Sequence, residues 1–262
     1  MPRHVFASVA ALATTVLAAC DAGGPSTQAQ VNFSVATQPA TPSSAASASG
    51  GSETFTDGSN TLVISRVQLV LREIELKRVE ATSGCGESEH DGCERLELGP
   101  VLLDLPLGAG GAAHSFSVPV AAGSYDQVEF EIHRPSDDDA SDAAFIQAHP
   151  DFRGVSVRVD GTFNGAGFTY TTSLSAEEEI ELSPPLVLAE SASADLTLMV
   201  DLDRWFRDGA GLLVDPATAN VGLANETLVE GNIRATLHAF EDEDHDGTDD
   251  HHGGADDGPS HD

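Results

Sequence analysis

The sequence predicts a mainly β protein, an antiparallel β-sandwich with a short C-terminal helix. Three observations carry that expectation. Between about Phe55 and Phe240, apolar residues recur with period two in a series of short runs. Those runs are divided by turn-forming segments, in a chain holding 25 Gly and 13 Pro. One stretch, close to the end, steps at helical spacing with no competing alternation.

In chain order, Leu62 to Val79 comes first. Val67, Leu69 and Leu71 alternate, and Ile74 and Leu76 resume with shifted parity. A helical face through Val63, Val67, Val70, Leu71 and Ile74 competes, but the β-branched content favours a strand carrying a bulge. Val101 to Leu105 reads as a short buried strand. In Ser115 to Ile132, Phe116, Val118 and Val120 alternate, Ala122-Gly123-Ser124 follows, and Val128, Phe130 and Ile132 alternate again. Two such runs about a glycine turn predict a hairpin with one buried face. A second hairpin is expected where Val155, Val157 and Val159 lead through NGAG into Phe168, Tyr170 and Thr172. Leu196, Leu198 and Val200 form a further strand. Val229, Ile233, Leu237 and Phe240 step by four, four and three, which predicts one helical stripe.

The strings LVISRVQLVLREIELKR, LLDLPLG and VPVAAGSYDQVEFEI, within Leu62 to Val200, carry a family resemblance. The chain resembles an uncharacterised domain of bacterial lipoproteins, a domain of unknown function whose members are similar to transthyretin-like sandwiches. The AAGSYDQVEFEI segment is its most telling part, with Gly123 expected to permit the turn and Tyr125 to start the return strand. The same segment resembles partner proteins of periplasmic copper-handling systems. The resemblance implies a transthyretin- or immunoglobulin-like sandwich and no agreed activity.

The N-terminus reads as targeting. Arg3 precedes an apolar run, Val5 to Leu17, which is too short for a membrane span of about 20 residues. It ends in Leu17-Ala18-Ala19-Cys20, similar to a bacterial lipobox, so residues 1–19 are expected to be removed and Cys20 lipidated. Acyl chains anchor by roughly 0.8 kcal/mol per buried CH₂. The expected partner is therefore the membrane, through a lipid anchor, in an exported protein of the cell envelope. Asp21 resembles an inner-membrane retention signal, and the leaflet stays open. Residues 20–53 read as the lipidated cysteine and a disordered Ser/Ala/Gly-rich linker, 54–240 as the sandwich, and 241–262 as an acidic His/Asp-rich tail.

Export leaves Cys85 and Cys93, separated by a Gly-rich charged segment, for a disulfide. A thiolate metal site with His90 is the weaker reading. The strongest metal-like signal is EDEDHDGTDD. Asp242, Asp244, Asp246 and Asp250 have the alternate-carboxylate spacing of a calcium loop, with Gly247 for the turn and Thr248 offering its carbonyl. A helix ending at Phe240 would lead into it as in an EF-hand. However, the position for a bidentate glutamate is Gly253, so any calcium binding is expected to be weak. A plain solvated tail competes with that reading. His245, His251, His252 and His261 could hold a borderline divalent metal loosely.

Catalytic patterns are lacking: neither G-x-S-x-G nor H-E-x-x-H occurs. His114, His133 and His149 read as strand-edge or loop histidines, and SDDDASD over Ser136 to Asp142 as a solvated turn. In DLDRWF, Asp203 is expected to cap a helix and Trp205 to pack, with an aromatic sugar platform as the alternative. The formal charge of −31 disfavours nucleic acid as a partner, while the 40% apolar content suffices for a core. A single lysine, Lys77, among 12 basic residues suggests acidity serving solubility. The expectation is a non-enzymatic, tethered domain with a binding or structural role toward an unknown protein or small ligand; the alternative is an accessory protein for periplasmic metal handling, copper or another divalent ion.

Overall fold

A computed structural model describes residues 28–37, 51–79, 94–96, 99–108 and 112–242. It is mainly β, with strands β1 (Ala29–Thr37), β2 (Glu53–Thr56), β3 (Thr61–Arg78), β4 (Glu94–Leu96), β5 (Val101–Asp104) and β6 (Ala113–Val120). There follow β7 (Gly123–Ile132), β8 (Val157–Phe163), β9 (Ala166–Thr172), β10 (Ala176–Leu188), β11 (Ser193–Val200) and β12 (Leu237–Glu241). Helix α1 spans Ala143–Ala148 and α2 spans Glu226–Arg234. The smaller sheet has the order β12-β11-β1-β6; the larger has β10-β7-β3-β8-β9, with β2, β4 and β5 also pairing to β3. One buried apolar cluster takes side chains from both sheets, including Val31, Phe33, Val118, Leu196, Leu69, Tyr125 and Val159.

The long strand β3 organises the larger sheet, and its side-chain parity explains its bulges. Leu62 and Ile64 point inward, then Val67, Leu69 and Leu71, then Ile74 and Leu76. Each change of parity needs one extra residue, and the register duly shifts against β8 between Ile64 and Arg66 and against β7 between Arg72 and Glu75. Glu73 takes the left-handed conformation at the second bulge, with φ 51°. The shifted parity in the sequence is therefore a bulged strand, as expected.

The linker expectation is corrected. Nine of its residues, AQVNFSVAT, form β1. Ala29, Val31, Phe33 and Val35 alternate inward and are buried, each large one worth about 1.5–3 kcal/mol of apolar transfer. That alternation overrides the Ser/Ala-rich composition around it. β1 lies between β6 and β11, antiparallel to the first and parallel to the second. The sheets are thus not wholly antiparallel.

Ser115 to Ile132 is also corrected. Both alternating runs are strands, but β6 pairs with β1 in the smaller sheet, whereas β7 pairs with β3 and β10 in the larger. The chain crosses between sheets at Ala121-Ala122. Gly123 is not in the left-handed region. A Cβ there would stand 3.2 Å from Arg78 Cζ, so the glycine makes room for Arg78 rather than a tight turn. Tyr125 is fully buried and its hydroxyl donates to Ala121 O at 2.7 Å, tying the crossing from the far side.

The second hairpin forms as expected, except that Val155 precedes β8 and packs against Val70, Phe145 and Phe152. β8 and β9 pair from Phe163↔Ala166 to Val157↔Thr172. The two residues between them, Asn164 and Gly165, have φ of 52° and 82°, as a type I′ turn requires.

The predicted C-terminal helical stripe is shortened. Helix α2 buries Val229 and Ile233 and stops at Arg234. Leu237 and Phe240 belong to β12, which closes the edge of the smaller sheet on β11. Thr236, between them, donates back to Asn232 O and accepts from Trp205 Nε1, a local capping that ends the helix.

Candidate functional site

The described residues gather their charge on the outer face of the larger sheet. Where Val128, Phe130 and Ile132 of β7 face the core, Glu129 and Glu131 face out by the period-two rule. On β10 the same rule turns Glu177, Glu179 and Glu181 outward. On β3 the bulge at Glu73 sets Arg72, Glu75 and Lys77 beside them. Register then places like charges opposite one another. Glu75 is opposite Glu129, Glu129 is opposite Glu179, and Glu131 is opposite Glu177. Such pairs repel. A pocket lined by Glu73, Glu75, Glu129, Phe130, Glu131 and Glu177 opens on this face.

Two cations relieve part of the repulsion. Lys77 Nζ bonds Glu129 at 2.6 Å and Glu179 at 3.1 Å. The Glu129 bond, foremost, raises the Lys77 ammonium above its ordinary value. Arg72 is more central. Its guanidinium meets Glu131 at 3.2 Å, Asp139 at 2.7 Å and Glu73 at 3.4 Å. Ser141 and Arg72 together hold Asp139 well below the usual carboxylate range.

At the margin of this face the segment after β7 folds back over the sheet. Phe145 of α1 and Phe152 pack on Val70, an outward residue of β3. His133 and Asp142 lie beneath, 5% and 0% exposed. His133 Nε2 lies 2.8 and 3.0 Å from the two Asp142 oxygens, and Nδ1 lies 3.4 Å from Glu131 Oε1. Asp142 also accepts from the Ser136 amide at 2.7 Å. The expected solvated turn is thus wrong at Asp142, because His133 and that amide supply the donors its burial needs. Both ring nitrogens of His133 are engaged by carboxylates, and neither is presented to a substrate.

The other sequence-predicted positions divide clearly. Cys20, Cys85, Cys93, Asp244, Asp246, Thr248 and Asp250 lie outside the described residues, as do His90, His245, His251, His252, His261 and the side chain of His114. Asp242 is described, and it is not a solvated ligand at the end of a helix. It follows a strand, is 0% exposed, accepts from the Thr197 hydroxyl at 2.9 Å, and its amide donates to Asp195 O at 3.1 Å. It therefore belongs to the sheet end. Among the described residues no three His, Cys, Asp or Glu converge as a metal site, and no helix is long and apolar enough to cross a membrane.

Trp205 is fully buried, with its indole N–H donated to Thr236, so it is no sugar platform. The cap before it is Asp201, which accepts from the Asp203 amide; Asp203 instead binds Arg207 at 2.6 Å. His149 packs its ring on Phe145, 4.9 Å between centroids. Sequence reasoning missed the acidic face, although its signal was present: glutamates fill the outward parity of the runs whose inward parity was recognised.

Among the described residues the molecule is a mainly β, two-sheet protein whose larger sheet carries a cluster of glutamates on its outer face. Comparison with protein-family models, with curated proteins and with solved structures finds no match for this chain.

Proposed function

We propose that this protein is a non-enzymatic lipoprotein of the bacterial cell envelope, a transthyretin- or immunoglobulin-like sandwich held at the membrane by lipid on Cys20, with a binding or structural role. The observation that carries the reading is the position of β1. Ala29 stands nine positions after Cys20 and opens a strand between β6 and β11. An extended chain spans at most about 3.6 Å per residue, so the anchored cysteine lies within about 32 Å of the sheet. The body is held close to the bilayer, with the Ala29 end of β1 nearest it, and force on the anchor passes directly into an interior strand.

The outer face of the larger sheet is the contact surface in this reading. Its opposed glutamates favour cationic groups of a partner, which would lessen their mutual repulsion, and salt would weaken the contact. The engagement of both His133 nitrogens supports binding over catalysis.

Fractionation tests the anchor. Wild type is expected in the detergent phase and Cys20→Ser in the aqueous phase. Identical partition of the two would overturn the reading. The tail adds a smaller proposal, weak calcium binding by Asp244, Asp246, Thr248 and Asp250, with Asp242 held by Thr197. Calorimetric titration should then show calcium preferred over magnesium and the response lost in Asp244→Ala.

A further inference from the structure

Glu53 opens β2 and is 4% exposed, yet its side chain joins the two sheets. Its Oε1 lies 3.1 Å from the hydroxyl of Thr37, at the C-terminal end of β1. That hydroxyl also stands 2.5 Å from Pro106 O, in the segment after β5. The Gly108 amide donates to Oε1 at 3.4 Å. The second oxygen, Oε2, is buried and has no hydrogen-bond partner among the described residues.

Counting protons decides the arrangement. A threonine hydroxyl carries one proton, and a carbonyl can only accept. Pro106 O, at the shorter distance, takes the Thr37 proton. The contact between Thr37 Oγ1 and Glu53 Oε1 then needs its proton from the carboxyl. An ionised carboxylate would instead turn a lone pair toward the Thr37 oxygen and leave Oε2 charged and without a donor in the interior, which burial penalises.

We propose that Glu53 is held as a neutral carboxylic acid, forming a pH-sensitive latch between the end of β1 in one sheet and β2 with the Pro106–Gly108 segment of the other. The charged groups that face it agree. They are Asp201 and Asp203, on the turn after β11, and each is met by an arginine of its own, Arg204 at 3.5 Å and Arg207 at 2.6 Å. Among the described residues Glu53 has no ion pair. Burial, foremost, pushes its carboxyl above the usual range, Asp201 and Asp203 push the same way, and the Gly108 amide draws it down.

The direction of the pH effect follows. An acid whose folded value is raised binds more protons in the native state than in the unfolded chain. Its contribution is complete below the ordinary glutamate range and is lost as pH rises through the folded value. Asp57 and Asp160, both lowered, act in the opposite sense, so the latch is read from the difference between two proteins.

Urea unfolding of the mature chain, as wild type and Glu53→Gln, between about pH 4 and about pH 8 makes that comparison. Gln keeps a donor for Thr37 but has no proton to lose. The two midpoints should draw together toward acid and separate as pH rises, with Gln the more stable at the alkaline end. Parallel curves, or a wild type that gains on Gln with pH, would overturn the latch. If Glu53→Gln does not fold, the carboxyl-carbon NMR titration of Glu53 in wild type decides. Titration above the exposed glutamates of the same chain supports the latch, and titration with or below them overturns it.

Discussion

Two regions carry the same sequence pattern and fold differently. Val155 to Thr172 and Ser115 to Ile132 each consist of two alternating apolar runs about a glycine-containing segment. The first is a hairpin in one sheet, and the second is a crossing between two sheets. Alternation sets which side chains are buried, and both regions obey it. It does not say which strand lies alongside. In the hairpin, Asn164 and Gly165 both accept positive φ, matching the twist of paired strands. Asn164 adds a carbonyl oxygen for the Thr61 amide, at 2.9 Å, so the turn is also tied to β3. In the crossing, Ala121-Ala122 offers no such residues. Tyr125 and Arg78 hold it instead, through Ala121 O at 2.7 Å and Ala122 O at 3.2 Å.

The comparison can be broken most severely on the hairpin side. A Cβ on Gly161 would stand 2.0 Å from Val63 O, where β8 lies on β3. That contact is backbone and cannot swing aside. Gly161→Ala is expected to cost about 3 kcal/mol or more in denaturant unfolding. A loss under about 1 kcal/mol would mean that β8 does not sit in this register. The crossing should be next in sensitivity. Tyr125→Phe removes the tie to Ala121 from a fully buried site and should cost about 1–2 kcal/mol, with β7 retained. A neutral effect would leave the crossing without its main polar support. Smallest is the turn itself. Gly165→Ala forces a side chain into positive φ with open space around it, and should cost about 1 kcal/mol in thermal unfolding.

These regions also show what could be read beforehand. The parity changes of β3 were visible because Leu71 and Ile74 both had to face inward. The Asn-Gly turn carried its own chemistry. β1 escaped because its alternation, Val31, Phe33 and Val35, sits within a Ser- and Ala-rich stretch whose average composition is that of a linker. The partner of β6 is that same strand, so one omission concealed the other. The helix boundary at Arg234 depends on Thr236 meeting Trp205, a contact 31 positions apart that periodicity does not carry. The buried acids failed for a related reason. Asp142 and Glu53 look like surface carboxylates in sequence, and only the partners the fold brings to them, His133 and the Ser136 amide for Asp142 and the Thr37 hydroxyl and Gly108 amide for Glu53, permit their burial.

The central claim is that β6 runs beside β1 and not beside β7, so that the strand nearest Cys20 in sequence is interior to a sheet. Asn32 and Ser117 are register partners on that pair, with Ser117 Oγ donating to Asn32 Oδ1 at 2.7 Å. A hairpin through Ala121-Ala122 would pair Ser117 with Asp126 instead. With Cys85 and Cys93 replaced by serine, Asn32→Cys/Ser117→Cys should form an intramolecular disulfide under mild oxidation, and Ser117→Cys/Asp126→Cys should not. Cross-linking of the second pair but not the first would contradict the account, returning residues 29–37 to a tether and Ser115 to Ile132 to a simple hairpin.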